Sequence, residues 1–207
     1  MRKYAWIILA VALVALIGGA SVLYDNLGSN YETQQLATQE APVEAPVEET
    51  EATHGGAQET EATEETKPQN IAPDFTVTDD DGNELKLSDF FGKPIVLNFW
   101  ASWCGPCKSE MPDFDAAYLE MGDEIQFLMV NMTDGYQETV EQAKSFLESS
   151  GYSFPVYYDV NQDAAYTYGV SSIPTTYFID AQGNLVAYGR GALSAETLQQ
   201  GIDMITE

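Results

Sequence analysis

The fold of this chain is decided by residues 95–108, which read IVLNFWASWCGPCK. The apolar run at 95–99 is of the length and kind that forms a strand buried on both faces of a sheet. A helix is predicted to begin at Cys104 and to continue past Met111. A C-x-x-C pair that follows a buried strand and opens a helix is the setting in which two cysteines serve redox chemistry.

The first cysteine of the pair stands where the predicted helix starts. There the unpaired backbone N–H groups and the positive end of the helix dipole favour a thiolate. Cys104 is therefore the predicted nucleophile, with a lowered thiol pKa and a sulfur open to solvent. Cys107 lies one turn deeper and closes the disulfide, while Pro106 suits the first helical turn, where its missing N–H costs little.

Two other roles for the cysteine pair stay open at this point. A purely stabilising disulfide is one, although closing so short a loop adds only about 2 kcal/mol in the chain-entropy model. Half of a zinc site is the other, and it requires two further ligands from a second chain.

Strand and helix patterns alternate through the rest of residues 71–207, which indicates an α/β domain with a mixed sheet. The predicted strands form a hairpin at 75–77 and 85–87 across a turn at 80–83, single strands at 125–130 and 156–158, and a closing hairpin at 175–179 and 185–188. The predicted helices, besides the one after Cys104, cover residues 137–149, 164–168 and 194–205.

The N-terminal residues 1–25 are predicted to be a transmembrane anchor or a signal segment. Residues 4–24 carry no charge, and about 20 apolar residues span the hydrocarbon core of a bilayer. Arg2 and Lys3 precede this run, so the N-terminus should stay in the cytoplasm and the remainder should face outward. If Gly18-Gly19-Ala20 is instead a cleavage site, the protein is secreted.

Residues 26–70 are predicted to be an acidic, disordered linker. Glu, Thr, Ala and Pro dominate the stretch, and APVE occurs twice, at 41–44 and 45–48. Such a composition buries too little apolar surface to offset the entropy of the chain. The remaining residues, 71–207, have an ordinary size for one domain.

The composition excludes several classes of function. The chain has 33 acidic and 8 basic residues and a formal charge of −25, so nucleic acid is not an expected partner. It has two cysteines and one histidine, His54, which lies in the linker. No metal site built from several Cys and His ligands and no Ser–His–Asp triad in the domain are therefore expected. No cofactor is predicted.

Residues 90–107, followed by Glu110-Met111-Pro112, resemble the TlpA/ResA-like branch of the thioredoxin superfamily. Residues 171–176, SSIPTT, resemble the second signature of that family, and residues 183–191 resemble its closing strands. The resemblance extends over residues 71–207. It implies a thioredoxin fold, with a central mixed β-sheet flanked by helices, an N-terminal β-hairpin and a central αβ insertion.

The resemblance also implies a surface that binds the partner protein. Pro174 should follow a cis peptide bond beside the cysteines, which leaves the backbone of Ile173 free to pair with an extended partner segment. Trp103 should flank the reactive sulfur, and Gly105 and Pro106 lie between the cysteines. Trp100 matches either an active-site tryptophan or a core residue.

Glu110 matches a glutamate that lines the active-site cavity in the family. We hypothesise that it tunes the thiol pKa values or shuttles a proton, the alternative being a solvated helix side chain. Asn98 stands where many thioredoxins bury an aspartate, and an amide cannot accept the proton that Cys107 must lose.

Together these features predict an extracytoplasmic thiol-disulfide oxidoreductase that reduces disulfides of exported proteins. The resemblance implies a CcdA/DsbD-type membrane electron donor, and acceptors such as apocytochrome c or methionine sulfoxide reductases. The alternatives are a thiol oxidase or isomerase, a peroxiredoxin-like peroxidase and a non-catalytic binding module. Peroxiredoxins place a threonine three residues before the reactive cysteine, where this chain has Ala101.

Overall fold

The computed structural model of the protein describes residues 36–38 and 70–206. The strands within these ranges are β1 (Ala37–Thr38), β2 (Thr76–Thr78), β3 (Glu84–Lys86), β4 (Ile95–Trp100), β5 (Gln126–Asn131), β6 (Val156–Tyr158), β7 (Thr175–Ile179) and β8 (Leu185–Arg190). The helices are α1 (Gly105–Met121), α2 (Val140–Ser150), α3 (Asp163–Thr167) and α4 (Ala195–Thr206), and a short 3-10 helix covers Leu87–Phe90.

The described residues all belong to one compact unit of the chain. The anchor predicted at 1–25 and most of the linker predicted at 26–70 therefore lie outside the described residues. Among the described residues, 36–38 and 70–206, no helix is long and apolar enough to cross a membrane.

The strands hydrogen-bond into one sheet in the order β1–β8–β7–β4–β5–β6–β2–β3. The central strand β4 pairs in parallel with β5 and antiparallel with β7, so the sheet is mixed, as predicted. Every residue of β4 is buried. A strand covered on both faces needs apolar side chains on both, which explains its nearly unbroken apolar sequence.

Apolar layers cover both faces of this sheet. On one face, Val96 and Trp100 belong to a cluster that includes residues of α1 and α4. On the other face, Ile95, Leu97 and Phe99 belong to a cluster with the β2–β3 hairpin and α3. Because successive side chains of a strand point to opposite faces, Asn98 lies on the face that α1 covers.

Helix α1 begins directly after the turn that follows β4. Cys104 is its N-cap residue, with an extended backbone (φ −76°, ψ 109°), and a proline occupies the first turn. The helix continues through Pro112 to Met121. The predicted start at Cys104 is therefore confirmed to within one residue, and the two cysteines lie at the edge of the sheet where β4 ends.

The helix predicted at 137–149 begins later, at Val140. Thr139 caps it through a reciprocal pair of hydrogen bonds with Gln142, which is the arrangement called a capping box. Residues 134–138 are instead a loop, because Asp134 Oδ1 accepts the backbone N–H groups of three residues, Tyr136, Gln137 and Glu138. Gly151, with a left-handed backbone (φ 73°), ends the helix as predicted.

The expected hairpin and insertion are both present. Strands β2 and β3 form the N-terminal hairpin, although Leu87 opens the 3-10 helix instead of extending β3. Helix α2 and strand β6 form the αβ insertion, and β6 extends the sheet in parallel with β5. Strand β8 runs to Arg190, two residues beyond its predicted end.

One part of the predicted linker is ordered, which corrects the prediction of disorder there. Ala37 and Thr38 form β1 and pair antiparallel with Tyr188 and Ala187 of β8. The preceding Leu36 packs against the core cluster that contains α4. Without β1, strand β8 would be an edge strand with unpaired backbone groups, and β1 hydrogen-bonds to them. The prediction of disorder rested on the average composition of 45 residues, which does not reveal so short a strand.

Candidate active site

Cys104 and Cys107 form a disulfide at the start of α1, and their Cα atoms are 5.3 Å apart. The backbone N–H of Cys107 donates to Sγ of Cys104 at 3.2 Å. Sulfur thus takes the N-cap position that an oxygen-bearing side chain usually fills. A thiolate at Cys104 would receive the same N–H at the positive end of the helix dipole, which favours the ionised form.

The sulfur of Cys104 was predicted to be open to solvent, and this is wrong for the oxidised form. Only 3% of the Cys104 surface is exposed, and Cys107 is fully buried. The carbonyl oxygen of Ile173 lies 3.7 Å from Cys104 Sγ. A disulfide sulfur has no proton to donate, so this is a packing contact. The segment before Pro174 therefore covers the disulfide.

The peptide bond between Ile173 and Pro174 is cis, as predicted. The loop around it is held on both sides, because Gly191 N–H donates to the Pro174 carbonyl oxygen at 2.8 Å and the Thr175 hydroxyl donates to the Ser172 carbonyl oxygen at 2.8 Å. Within the described ranges, the Ile173 N–H has no hydrogen-bond partner. The structure thus brings Ile173 and Pro174 together with the cysteines.

The residues between and before the cysteines form an exposed rim. Trp103 has 49% of its surface exposed, and Gly105 and Pro106 are also exposed. The disulfide is therefore buried beneath a rim of accessible side chains and backbone, all of which the sequence placed at the site.

Glu110 is buried, with 1% of its surface exposed, so the alternative of a solvated side chain is excluded. Its Oε2 accepts the backbone N–H of Leu193 at 2.8 Å, and its Oε1 accepts Nδ2 of Asn98 at 2.8 Å. Burial raises the pKa of Glu110 to about 7, against the opposing effect of these two hydrogen bonds. A carboxyl group with this pKa can gain or lose a proton near neutral pH.

Asn98 links Glu110 to the sheet. Its Nδ2 also donates to the Thr176 hydroxyl at 2.9 Å, across the register that pairs Asn98 of β4 with Thr176 of β7. Its Oδ1 is buried and has no hydrogen-bond partner within the described residues. The sequence pointed to Asn98 and Glu110 separately, to Thr176 only within the segment 171–176, and not to Leu193. Contacts between residues distant along the chain leave no local pattern.

Trp100 belongs to the core and not to the rim. It is fully buried, and its ring packs against Phe146 of α2 with centroids 5.9 Å apart. The core interpretation of this tryptophan is the correct one. Lys108 is exposed, and its ammonium group lies 6.0 Å from the centroid of the same phenylalanine ring.

A second buried glutamate, which the sequence did not indicate, lies behind the cysteine turn. Glu138 has 1% of its surface exposed and accepts both the backbone N–H and the hydroxyl of Ser102. Ser102 is two residues before Cys104. The only local signal is a serine in the turn, and nothing in the sequence connects it to a glutamate 36 residues later.

The model of the AhpC/TSA family matches residues 68–188 of this chain, which is more than half of its length. The chain belongs to the AhpC/TSA family. The matched residues include both cysteines, Glu110 and the Ile173–Pro174 segment, so every site residue that the sequence predicted lies within the family match.

Among curated relatives, this AhpC/TSA-family protein is 37% identical over 138 residues to the thiol-disulfide oxidoreductase ResA of Bacillus thuringiensis subsp. konkukian, covering 65% of this chain and 76% of ResA. Among solved structures, it resembles the pneumococcal exposed lipoprotein thioredoxin of Streptococcus pneumoniae (34% identity, TM-score 0.56, 63% of this chain and 98% of that one). It also resembles StoA of Bacillus subtilis (25% identity, TM-score 0.56, 64% and 98%).

These similarities, together with the mixed sheet flanked by helices, identify the fold as thioredoxin-like. This AhpC/TSA-family protein is a thiol-disulfide oxidoreductase of the thioredoxin superfamily, as its relatives are.

Proposed function

We propose that this enzyme works outside the cytoplasm and reduces disulfides of exported proteins through Cys104 and Cys107. The observation that carries the proposal is the Cys104–Cys107 disulfide at the N-terminus of α1, in contact with the segment before Pro174. In a C-x-x-C pair that opens a helix, the first sulfur is the one that the helix N-terminus activates.

The reaction begins with the reduced dithiol. The Cys104 thiolate attacks one sulfur of the partner disulfide, the partner S–S bond breaks, and the released partner sulfur takes up a proton. Cys107 then loses its proton and attacks Sγ of Cys104, which breaks the mixed disulfide and releases the second partner thiol. Two electrons have passed to the partner, and the enzyme is left with the disulfide that the structure contains.

Glu110 is the proposed proton acceptor for Cys107 in the second step. The glutamate follows Cys107 by three residues on α1, so the two side chains share one face of the helix. Its pKa of about 7 lets it take a proton at neutral pH and return it when the disulfide is reduced again. Asn98 has no proton-accepting group and holds Glu110 in place instead.

The partner segment is proposed to bind across the exposed rim. The Ile173 N–H has no hydrogen-bond partner within residues 36–38 and 70–206, and the carbonyl oxygen of the same residue contacts Cys104 Sγ, so this N–H is available to an extended strand. Trp103 supplies an exposed aromatic surface, and Gly105 and Pro106 extend the exposed rim beside Cys104.

The site of action and the electron donor are proposed from the sequence. An uncharged run at 4–24 after Arg2 and Lys3 supports an N-terminal anchor with the domain outside. A reductant in an oxidising compartment must be reduced again, so a membrane thiol carrier of the CcdA/DsbD type is the proposed donor. Apocytochrome c and methionine sulfoxide reductases are the proposed acceptors.

Trapping the mixed disulfide tests the proposal. A Cys107→Ser variant cannot complete the second step. The full-length variant, isolated with the membranes of the cells that express it, should therefore accumulate partner proteins disulfide-linked to Cys104, and a reductant should release them. The Cys104→Ser variant is the matched control and should trap none. Absence of trapped exported proteins contradicts the proposed substrates.

The reduction potential of the purified protein decides the direction of electron flow. A value near that of thioredoxin, about −270 mV, supports a reductase, whereas a value near −120 mV indicates an oxidase.

A further inference from the structure

We propose that Glu138 is a positioning residue for disulfide exchange: its buried carboxylate holds the turn that carries Trp103 and Cys104 in the geometry the reaction needs. The inference rests on the proposed function, because exchange through Cys104 is the activity that it concerns. It adds a residue that neither the C-x-x-C pattern nor the resemblance singled out.

The contacts of Glu138 converge on the turn. Oε1 accepts the backbone N–H of Ser102 at 2.8 Å, and Oε2 accepts the Ser102 hydroxyl at 2.7 Å. Oε1 also accepts Nδ2 of Asn131 at 2.8 Å. One side chain therefore binds both polar groups that Ser102 can donate, and it joins them to the end of β5.

The backbone of Glu138 and the side chain of Asn131 are also held by hydrogen bonds. Asp134 Oδ1 accepts the backbone N–H of Glu138 at 2.9 Å, and Gly135 N–H donates to the Glu138 carbonyl oxygen at 3.0 Å. Asn131 is buried, and its Oδ1 accepts the Thr133 hydroxyl at 2.7 Å. Glu138 therefore links the cysteine turn to the loop at 134–138, which is itself held by internal hydrogen bonds.

Few other contacts hold the turn. Within the described residues and apart from the sheet ladder, its backbone hydrogen bonds are Cys104 N–H to the Ala101 carbonyl oxygen at 3.1 Å, Lys108 N–H to the Cys104 carbonyl oxygen at 3.1 Å and Met132 N–H to the Trp100 carbonyl oxygen at 2.9 Å. Without Glu138, Ser102 would lose both of its bonds to the loop. Cys104 Sγ must stay within reach of the Cys107 N–H, and a misplacement of about 1 Å can reduce a rate by about 100-fold.

The chemistry of the carboxylate explains why it can be buried here. A buried carboxylate is costly unless its oxygens are hydrogen-bonded. Within the described ranges, Glu138 forms no ion pair, since the one ion pair there joins Lys144 and Asp80. The three hydrogen-bond donors, and not a cation, therefore offset the desolvation of Glu138. A glutamine could satisfy the same donors, because its oxygen can accept two N–H groups while its NH2 donates to the Ser102 hydroxyl.

This equivalence gives the test its design. Full-length Glu138→Ala, Glu138→Gln and wild-type proteins are compared in reduced form, with Glu141→Gln as control, since Glu141 is an exposed glutamate in the first turn of α2. Two quantities are measured: the pH profile of Cys104 alkylation by iodoacetamide, and the rate at which a model disulfide peptide is reduced.

We expect Glu138→Ala to move the alkylation profile of Cys104 to higher pH and to slow exchange by at least about tenfold. Glu138→Gln should restore both to within about threefold of wild type, because it keeps the hydrogen bonds. Glu141→Gln should match wild type in both measurements.

The inference is overturned if folded Glu138→Ala protein exchanges and titrates like wild type, or loses only thermal stability. It is also overturned if the glutamine variant is as impaired as the alanine variant. Should Glu138→Ala fail to fold, Ser102→Ala removes only the hydroxyl donor, and a profile identical to wild type would then count against the inference. A wild-type protein that reduces no disulfide contradicts the proposed function, whereas the alkylation profile still reports on positioning.

Discussion

Nδ2 of Asn98 donates a 2.8 Å hydrogen bond to Oε1 of Glu110, which joins the central strand to the helix that carries the cysteines. The pair buries an ionisable carboxyl group beside an amide that cannot itself titrate. Because burial dominates, the pKa of Glu110 is raised to about 7, and its charge should therefore change within the physiological pH range.

The stability of the oxidised protein should depend on the charge of Glu110. Since its pKa rises from 4.5 to about 7 on folding, the folded state binds this proton more tightly than the unfolded chain. The resulting stabilisation is complete below pH 4.5 and is lost as pH rises through 7, a change on the order of 3 kcal/mol. Glu110→Gln removes this titration, so its free energy of unfolding should gain about that much relative to wild type between pH 4.5 and pH 8.

Denaturant unfolding of both proteins at several pH values measures this difference. If the difference between the two free energies of unfolding stays constant from pH 4.5 to 8, the buried glutamate does not titrate as described.

Removing the Asn98 amide should raise the pKa of Glu110 further. The hydrogen bond from Asn98 lowers this pKa, so in Asn98→Ala the carboxyl should stay protonated to higher pH. The side-chain carbon resonance of Glu110, followed by NMR against pH, reports the midpoint. Asn161→Ala, which changes an exposed asparagine, is the control, and a midpoint that shifts equally in both variants would argue against the contact.

The two cysteines should react very differently in the reduced protein. Cys107 is fully buried, while Cys104 caps the helix, where a thiolate is favoured and the thiol pKa should fall below the free value of about 8.5. Iodoacetamide at pH 7 should therefore modify Cys104 first and almost alone, as mass spectrometry can show. Slow labelling of Cys104 after reduction would contradict its role as the attacking thiol.

The packing of α4 on the sheet should tolerate no added volume at Gly201. A methyl group there would overlap the ring of Phe178 in β7, and overpacking of a core typically costs about 1–3 kcal/mol. Gly201→Ala should lower the Tm while leaving exchange intact at low temperature, because Gly201 and Phe178 belong to elements that do not carry the cysteines. Gln200→Ala changes the exposed neighbouring position, and a comparable loss of stability in that variant would contradict a packing origin.

The candidate site was only partly predictable. Cys104, Cys107, Pro106 and Trp103 occupy consecutive positions, so a short motif defines them. Glu138 contacts Ser102, which lies 36 residues earlier in the chain. Leu193 contacts Glu110, which lies 83 residues earlier. No local pattern encodes such a meeting, because the folding of the intervening chain produces it.

The sequence by itself determined the alternation of strands and helices, the mixed sheet and the position of the cysteines at a helix start. Those features follow from hydrophobic periodicity, turn chemistry and helix capping, all of which act over a few residues. Only the tertiary structure decided that Cys104 is covered by Ile173, that Glu110 is buried with a raised pKa and that Glu138 holds the cysteine turn. Burial and the pKa values that depend on it are set by which distant segments pack together, and this is a property of the folded chain as a whole.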